Sequence, residues 1–113
     1  MNADHRLAVY GSLAPGRPNH HELSALRGEW SVGKVKGRLV ARGWGAALGF
    51  PALVLSEDGD DIEVHIFQSP DLADHWQRLD AFEGAEYRRA LVQVDTAGGM
   101  LEAWIYLDAN SAA

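Results

Sequence analysis

The sequence predicts an α+β fold in which a small, partly closed, mixed sheet of six strands packs against one main helix. Six short segments are apolar or alternate between apolar and polar residues, as strands do. A segment from Ser69 onward carries both a helix start signal and apolar residues at helical spacing. The 113 residues fit one domain, residues 1–113, because a chain of this length buries enough surface for a single core.

The predicted strands are separated by glycine-containing or polar stretches. They cover residues 7–10, 29–41, 51–55, 62–68, 87–94 and 101–107. Gly33 and Gly37 lie inside the second segment and are expected to form bends or bulges. The third and fourth segments are expected to form a hairpin across the polar turn 56–61, and the last two segments a hairpin across residues 96–99.

The main helix is predicted from the residues at its two ends. Ser69 can cap the first turn, Pro70 fits the first helical position, and Asp71 suits the positive end of the helix dipole. The apolar residues that follow at helical spacing are Leu72, Trp76, Leu79 and Phe82. Gly84 can end the helix in a left-handed conformation. A short flanking helix is expected at residues 21–26.

The composition excludes several classes of protein. The net charge of −6 disfavours binding to nucleic acid. The chain has no cysteine, which excludes disulfide frameworks, thiol catalysis and thiolate metal sites. No apolar run approaches the ~20 residues of a membrane span, and no signal peptide is visible. We therefore expect a cytoplasmic monomer or homodimer with a small-molecule partner, and no binding to nucleic acid or membrane.

The first candidate site is the turn after the first predicted strand. It consists of Tyr10, Gly11, Ser12 and Leu13. A strand that ends in a glycine turn leaves several backbone N–H groups unpaired by the sheet, and together these can bind an anion such as a carboxylate. The alternative is an ordinary turn, since short turns that contain glycine are common.

The second candidate is Glu83, near the C-terminal end of the main helix. A negative charge there opposes the helix dipole, and the apolar neighbours Leu79 and Phe82 add desolvation. Both effects raise the pKa of the carboxyl toward neutrality, which suits general acid–base catalysis. The alternative is a solvated glutamate at a frayed helix end. Glu86 is a nearby competitor and is expected to be exposed.

Other chemistries receive little support from the sequence. Ser12 lacks the G-x-S-x-G pattern of a nucleophilic serine. The five histidines, His5, His20, His21, His65 and His75, show no metal-ligand spacing. The glycines around Trp44 do not form a dinucleotide fingerprint, although Trp44 itself can line a ligand site. We expect neither a metal nor a cofactor.

Several segments occur in the same order in one known family of proteins. They are residues 10–13, 18–20, 49–54, 79–84 and 103–106, together with Leu23, Tyr87, Arg89, Val92 and Val94. The strongest match is Leu-Asp-Ala-Phe-Glu-Gly at residues 79–84. The chain therefore resembles the γ-glutamylcyclotransferase-like family, which includes γ-glutamylamine cyclotransferases and AIG2-like proteins.

This resemblance implies a small mixed β-barrel with helices. It also implies a cyclotransferase that converts a γ-glutamyl amine or γ-glutamyl amino acid into 5-oxoproline and a free amine. The catalytic glutamate of the family maps onto Glu83. Its substrate-binding loop maps onto Tyr10, Gly11, Ser12 and Leu13. Tyr87 and Tyr106 are expected either to place a hydroxyl near the same pocket or to serve as pocket wall or core.

One position departs from the pattern of the family. Members often carry a glycine and an acidic residue in the middle strand, where this chain has Val64 and His65. A valine in place of glycine can narrow the pocket or shift the strand. The alternative to an enzyme is therefore a non-catalytic domain that binds 5-oxoproline or a γ-glutamyl compound.

Overall fold

The structure is a computed structural model that describes residues 3–10, 21–24, 26–40, 52–84 and 87–109. These residues contain six strands: β1 (Arg6–Val9), β2 (Glu29–Val40), β3 (Ala52–Leu55), β4 (Asp60–Gln68), β5 (Tyr87–Thr96) and β6 (Gly99–Asp108). The helices are α1 (His21–Ser24) and α2 (Trp76–Glu83), with 3₁₀ turns at Ala3–His5 and Pro70–Asp74. Each predicted strand is present, with small differences at its ends.

Five of the strands close into a barrel. The order along the sheet is β3-β2-β4-β1-β6-β5, and β5 returns to β2 where Lys34 pairs with Asp95. β3 is the extra strand, which extends the sheet along the last residues of β2. β1 and β6 pair in parallel around Ala8 and Ile105, whereas the other described pairs are antiparallel. This closed, mixed sheet with one main helix confirms the predicted fold class.

The side chains of the sheet contribute to two apolar clusters. The barrel interior contains Val35, Val64, Ile66, Val94 and Ile105 among others. A second cluster lies between the outer face of the barrel and the helical segments, and includes Leu7, Phe67, Leu72, Trp76, Leu79 and Tyr106. Because successive residues of a strand point to opposite faces, Ile105 faces the interior while Tyr106 faces the helical layer.

The predicted hairpin between residues 51–55 and 62–68 is wrong. β3 pairs with one edge of β2 and β4 pairs with the other, and both pairings reach Gly37. The turn between them passes over β2, where a Cβ on Gly59 would lie 2.5 Å from the carbonyl oxygen of Gly37. Short connections favour hairpins, but here β2 separates the two strands. The other predicted hairpin, between β5 and β6, is confirmed.

The predicted bulges at Gly33 and Gly37 are absent from the β2–β4 ladder, which keeps one register throughout. These glycines instead allow neighbouring strands to approach closely. A Cβ on Gly33 would lie 2.5 Å from Cγ1 of Val94, and one on Gly37 would lie 2.5 Å from the carbonyl oxygen of Val54. Both glycines therefore belong to the edge of β2 that closes the barrel and holds β3.

The predicted main helix is divided at His75. The first part is a 3₁₀ turn, which Ser69 caps by accepting a hydrogen bond from the backbone N–H of Asp71 at 3.1 Å. The apolar spacing survives the division, because Leu72, Trp76 and Leu79 are all buried. Within the described ranges, no helix has the length and apolar character that crossing a membrane requires.

Gly84 ends α2 with φ 82° and ψ −177°. The positive φ agrees with the predicted helix end. The value of ψ, however, places the residue in an extended region open almost only to glycine, rather than in the left-handed helical region. Glu83 is therefore the last residue of a helix whose end is fixed by the backbone of the next residue.

Candidate active site

Four of the predicted site residues lie in the described structure: Tyr10, Glu83, Tyr87 and Tyr106. The charge of Glu83 acts on the hydroxyls of both Tyr10 and Tyr106, and Tyr87 interacts electrostatically with Tyr10. The structure therefore brings these four side chains together at the C-terminal end of α2. The remaining predicted positions, Gly11, Ser12, Leu13, Trp44 and Glu86, lie outside the described residues.

β5 and β6 present one shared face to α2. Tyr87 pairs with Asp108, and Arg89 pairs with Tyr106, across the antiparallel ladder. Side chains of residues directly opposite each other in such a ladder lie on the same face of the sheet. Contacts between α2 and β5 place the helix over this face. The ladder therefore positions two tyrosines, one arginine and one aspartate beneath the helix.

Asp80 joins α2 to both strands. Its Oδ1 accepts hydrogen bonds from the hydroxyl of Tyr106 at 2.7 Å and from Nε of Arg89 at 2.8 Å. Its Oδ2 accepts a third, from Nη2 of Arg89, at 3.2 Å. Burial alone would raise the pKa of Asp80, but the hydrogen bonds from Arg89 and Tyr106 outweigh it and lower that pKa below its ordinary value. Asp80 is therefore an ionised anchor near neutral pH.

The guanidinium of Arg89 packs against the rings of two tryptophans. The guanidinium carbon lies 4.5 Å from the ring centroid of Trp76 and 4.4 Å from that of Trp104. Both indole N–H groups donate to Asp4, that of Trp76 to its carbonyl oxygen at 3.0 Å and that of Trp104 to its carboxylate at 2.9 Å. Cation–π contact with two rings and the two-pronged bond to Asp80 leave the guanidinium little freedom.

Tyr10 links the end of β1 to β3 and β6. Its hydroxyl donates to the carbonyl oxygen of Tyr106 at 2.6 Å and accepts from the backbone N–H of Leu53 at 2.9 Å. Burial raises the pKa of Tyr10 above its ordinary value, and burial and the bond to Asp80 do the same for Tyr106. Both phenols stay protonated, and each donates its proton to another group of the protein.

Glu83 is the carboxyl of the site whose pKa is raised toward neutrality. It lies partly buried at the end of α2. Burial raises the pKa of its carboxyl from 4.5 to about 7, in agreement with the sequence prediction. A carboxyl with this pKa exchanges protons readily near neutral pH, as a general acid–base catalyst must.

Val64 and His65, where the chain departs from the pattern of the family, point to opposite faces of β4. Val64 is fully buried in the barrel interior, among Ile66 and other apolar residues. His65 points the other way and its Nε2 lies 3.7 Å from Oε1 of Glu63. The valine therefore belongs to the core of the barrel, on the face of β4 opposite to the helical layer.

Sequence reasoning assigned no role to Asp80, Arg89 or Asp108. Asp80 and Glu83 are three residues apart in a helix and so share a face, which was a usable signal. Arg89 lies two residues after Tyr87, and Asp108 two residues after Tyr106, so each shares a strand face with a predicted site residue. Strand alternation applied from the tyrosines outward would have found both.

An open cleft of about 410 Å³ lies elsewhere, where β2 meets β4 and β5. Its charged residues are Lys34, Asp61, Glu63 and Asp95. Lys34 and Lys36 both form ion pairs with Asp61, at 3.9 Å and 3.1 Å. In the part of the chain that the structure describes, no group of three or more histidine or acidic side chains is arranged to hold a metal ion.

The fold and the site define a small closed-barrel protein with a candidate acid–base centre at the end of one helix. The chain matches the family described as "Gamma-glutamyl cyclotransferase, AIG2-like" over residues 7–112, and it belongs to that family. Membership supports a cyclotransferase-type function in general. A search among curated proteins finds none that matches the chain.

Two solved structures illustrate the likeness. YkqA from Bacillus subtilis is 29% identical, with a TM-score of 0.72 over 98% of this chain. The AIG2-like protein A2LD1, or GGACT, from Mus musculus is 25% identical, with a TM-score of 0.74 over 96% of this chain. The chain spans 37% of the length of YkqA and 79% of the length of the mouse protein.

Proposed function

We propose that this chain is a γ-glutamyl cyclotransferase that releases 5-oxoproline and a free amine from a γ-glutamyl amine or a γ-glutamyl amino acid. The observation that carries the proposal is the raised pKa of Glu83, about 7, at a position within electrostatic reach of Tyr10 and Tyr106. Family membership supports the general reaction type. Glu83 is the proposed general acid–base group.

The reaction closes a ring within the substrate itself. Glu83 takes a proton from the α-ammonium group, and the resulting amine attacks the γ-carbonyl carbon to form a new carbon–nitrogen bond. Glu83 then returns the proton to the leaving nitrogen, and the original amide bond breaks. A second proton passes from the ring nitrogen to the departing amine, which leaves as an ammonium ion. The nucleophile is already tethered, so the protein mainly has to fold the substrate into an attack geometry.

The predicted loop of Gly11, Ser12 and Leu13 supplies backbone N–H groups in this proposal. They would hold the α-carboxylate or the negative oxygen that develops on the attacked carbonyl. The phenols of Tyr10 and Tyr106 already donate their protons to the protein. We therefore assign Tyr10, Tyr87 and Tyr106 to the wall of the substrate pocket and the donor role to the loop.

The test is a 5-oxoproline release assay. We expect the wild-type protein to release 5-oxoproline from one or more of γ-glutamyl amino acids, γ-glutamyl-ε-lysine and glutathione. Glu83→Gln should lose about 10²–10⁴-fold in turnover, because it keeps the shape of the side chain but cannot accept the proton. Glu102→Gln is the matched control, since it removes an exposed glutamate on β6. Equal turnover by Glu83→Gln and wild type would overturn the role of Glu83.

Ser12→Ala separates this mechanism from a nucleophilic serine. In the proposed mechanism the loop acts through backbone groups, so removal of the hydroxyl should cost much less turnover than Glu83→Gln. A Ser12→Ala variant as inactive as Glu83→Gln would instead support covalent catalysis by Ser12.

The second candidate function is a binding domain without turnover. It would be supported by binding of 5-oxoproline, measured by calorimetry, together with no product release from any substrate of the panel. The departure that suggested it is the pair Val64 and His65, and Val64 is buried in the barrel interior rather than directed toward α2. This placement favours the enzyme of the two.

A further inference from the structure

Arg89 is a cation set among the residues of the candidate site. Its side chain is only 22% exposed, and strand alternation places it on the face of β5 that also carries Tyr87. An arginine side chain stays charged throughout the physiological pH range. A cation within ~4–6 Å of a carboxyl lowers the pKa of that carboxyl by about 1–3 units. The position of this guanidinium therefore affects whether Glu83 can exchange protons near neutral pH.

Two carboxyl groups of α2 lie on the side of the helix that Arg89 approaches. Asp80 and Glu83 are three residues apart in the helix, a spacing that brings the Cβ atoms of such residues to about 5–6 Å. The charges of Glu83 and Arg89 both act on the hydroxyl of Tyr106, which donates to Oδ1 of Asp80 at 2.7 Å. One hydroxyl is therefore within electrostatic reach of the cation and of both carboxyl groups.

Asp80 is the carboxylate that binds the cation. Its two oxygens accept hydrogen bonds from Nε and Nη2 of Arg89 at 2.8 Å and 3.2 Å, the two-pronged geometry that suits a guanidinium. The guanidinium carbon also lies 4.5 Å from the ring centroid of Trp76, four residues before Asp80, whereas Glu83 is three residues after Asp80. Trp76 and Glu83 are separated by about 10 Å along the helix axis. These contacts therefore hold the guanidinium toward the start of α2 and away from Glu83.

The pKa values of the two carboxyl groups agree with this division. Burial would raise the pKa of Asp80, but the hydrogen bonds from Arg89 and Tyr106 outweigh it and lower that pKa. Burial raises the pKa of Glu83 to about 7. When the environments of two neighbouring carboxyl groups separate their pKa values in this way, the groups can take different roles. Asp80 is then the partner of the cation, and Glu83 is the proton carrier.

The other titratable and charged side chains near the end of α2 come from each strand that packs there. Among the described residues the group consists of Tyr10 of β1, Tyr87 and Arg89 of β5, Tyr106 and Asp108 of β6, and Asp80 of α2 itself. Arg88 points to the opposite face of β5. Arg89 is therefore the cation of this described group, and its charge is balanced by Asp80.

We propose, on the basis of the proposed function, that Asp80 is a positioning residue that holds Arg89 away from Glu83, so that Glu83 can exchange a proton with the substrate. Loss of the charge of Asp80 would release the guanidinium toward Glu83, the next carboxyl on the same side of the helix. Glu83 would then ionise at lower pH and would be a weaker base in the reaction. Asp80 acts through Glu83 and does not itself touch the substrate.

Direct titration of Glu83 tests this role without depending on turnover. Its side-chain carboxyl is followed by ¹³C NMR in protein labelled with ¹³C-glutamate, and the Glu83→Gln spectrum identifies the signal. Asp80→Asn should lower the pKa of Glu83 by about one unit, because the charge of Arg89 is then unbalanced. Asp74→Asn is the matched control: it removes an exposed aspartate from the preceding 3₁₀ turn and should leave the pKa of Glu83 unchanged.

A double variant separates the charge of Arg89 from a change in shape. Asp80→Asn combined with Arg89→Gln removes both charges, so the pKa of Glu83 should return to the wild-type value. An unchanged pKa in Asp80→Asn, or an equally lowered pKa in the double variant, would overturn the proposal. If Asp80→Asn does not fold, Asp80→Ser replaces it with the same expectations.

Activity measurements distinguish this proposal from the proposed function. In an active enzyme, kcat/KM of Asp80→Asn should begin to rise about one pH unit lower than that of the wild type. Release of 5-oxoproline with an unshifted titration and an unshifted profile would overturn the role of Asp80 and leave the cyclotransferase intact. A shifted titration in a protein that releases no 5-oxoproline would overturn the proposed function and support the control of Arg89 by Asp80.

Discussion

At the scale of single residues, Glu83 links the proposed chemistry to stability. Its pKa rises from 4.5 to about 7 because the folded protein buries it. Between about pH 4.5 and pH 7 the carboxyl of Glu83 is protonated in the folded state but has lost its proton in the unfolded state. The associated stability is fully present below about pH 4.5 and is lost as the pH rises through about 7. The ionised form of Glu83 therefore destabilises the folded state above about pH 7.

Replacing Glu83 with glutamine should remove this dependence. We expect Glu83→Gln to be more stable than wild type at pH 8, by an amount on the order of 3 kcal/mol, because each unit of pKa shift corresponds to about 1.4 kcal/mol. The two proteins should differ less at pH 4.5, where the glutamate is largely protonated when folded. Urea unfolding at both pH values measures the difference. A gap between the two proteins that does not change with pH would contradict the raised pKa.

The same group sets the expected pH profile of the reaction. The ionised form of Glu83 accepts the proton, so kcat/KM should rise with pH and level off above about 7. The pKa of Asp80 is lowered, so Asp80 stays ionised through this window and adds no second step there. A profile that is flat from pH 5 to 8 would contradict the assignment of Glu83 as the base.

At the scale of elements, the end of α2 depends on Gly84. Its φ of 82° and ψ of −177° are open almost only to glycine. A Cβ there would meet no atom within 4 Å, so the cost of a side chain is conformational rather than steric. The position of Glu83 is therefore set by the backbone of its neighbour as much as by helix packing.

Gly84→Ala should lower stability by about 1–3 kcal/mol and reduce turnover, because relief of the strain displaces the end of α2. Gly98→Ala is the matched control: it lies in the β5–β6 turn, and a Cβ there would meet no atom closer than 3.9 Å. Denaturant unfolding and 5-oxoproline release measure the two effects. A Gly84→Ala variant as stable and as active as Gly98→Ala would show that the glycine is not required.

In the helical segment, residue spacing predicts some features, whereas others depend on tertiary packing. The cap by Ser69 and the burial of Leu72, Trp76 and Leu79 follow from spacing, and all are present. The division of the helix at His75 does not follow from spacing, since Pro70–Asp74 winds as a 3₁₀ turn. The bond between Asp80 and Arg89 depends on how α2 lies on β5. The local sequence pattern therefore predicts where the helix lies and which residues it buries, but not the contacts that it makes with β5.

At the scale of the whole molecule, Gly33 lies where the barrel closes. β2 meets β5 there through the pairing of Lys34 with Asp95. A Cβ on Gly33 would lie 2.5 Å from Cγ1 of Val94, which is fully buried, and 3.0 Å from the backbone oxygen of Asp95. Closure therefore requires a residue without a side chain at this position.

Gly33→Ala should destabilise the protein by about 1–3 kcal/mol, the usual cost of an added group in a packed core. Ser31→Ala, an exposed change two residues earlier on the same strand, should have little effect. Thermal unfolding of both variants gives the comparison. The closure described here would be contradicted if Gly33→Ala unfolded at the wild-type temperature.

Strand pairing shows what the sequence alone leaves open. Alternation located all six strands, and the 96–99 turn correctly predicted the β5–β6 hairpin. The turn after β3 indicated a second hairpin, but β3 and β4 lie on opposite edges of β2. Both strands run antiparallel to β2, so the chain keeps its direction across this turn and crosses β2 instead of reversing. A turn signal marks the end of a strand but not the direction or the partner of the next strand.

The parallel pairing of β1 with β6 affects the order in which the protein can assemble on the ribosome. β1 emerges before the other described strands and can pair with one neighbour, β4, once that strand has been made. Its other neighbour, β6, is separated from it by almost the whole described chain. Until β6 emerges, the edges of β1 and β5 are unpaired and open to strands of other nascent chains. The period before β6 is made is therefore when this barrel most needs protection from aggregation.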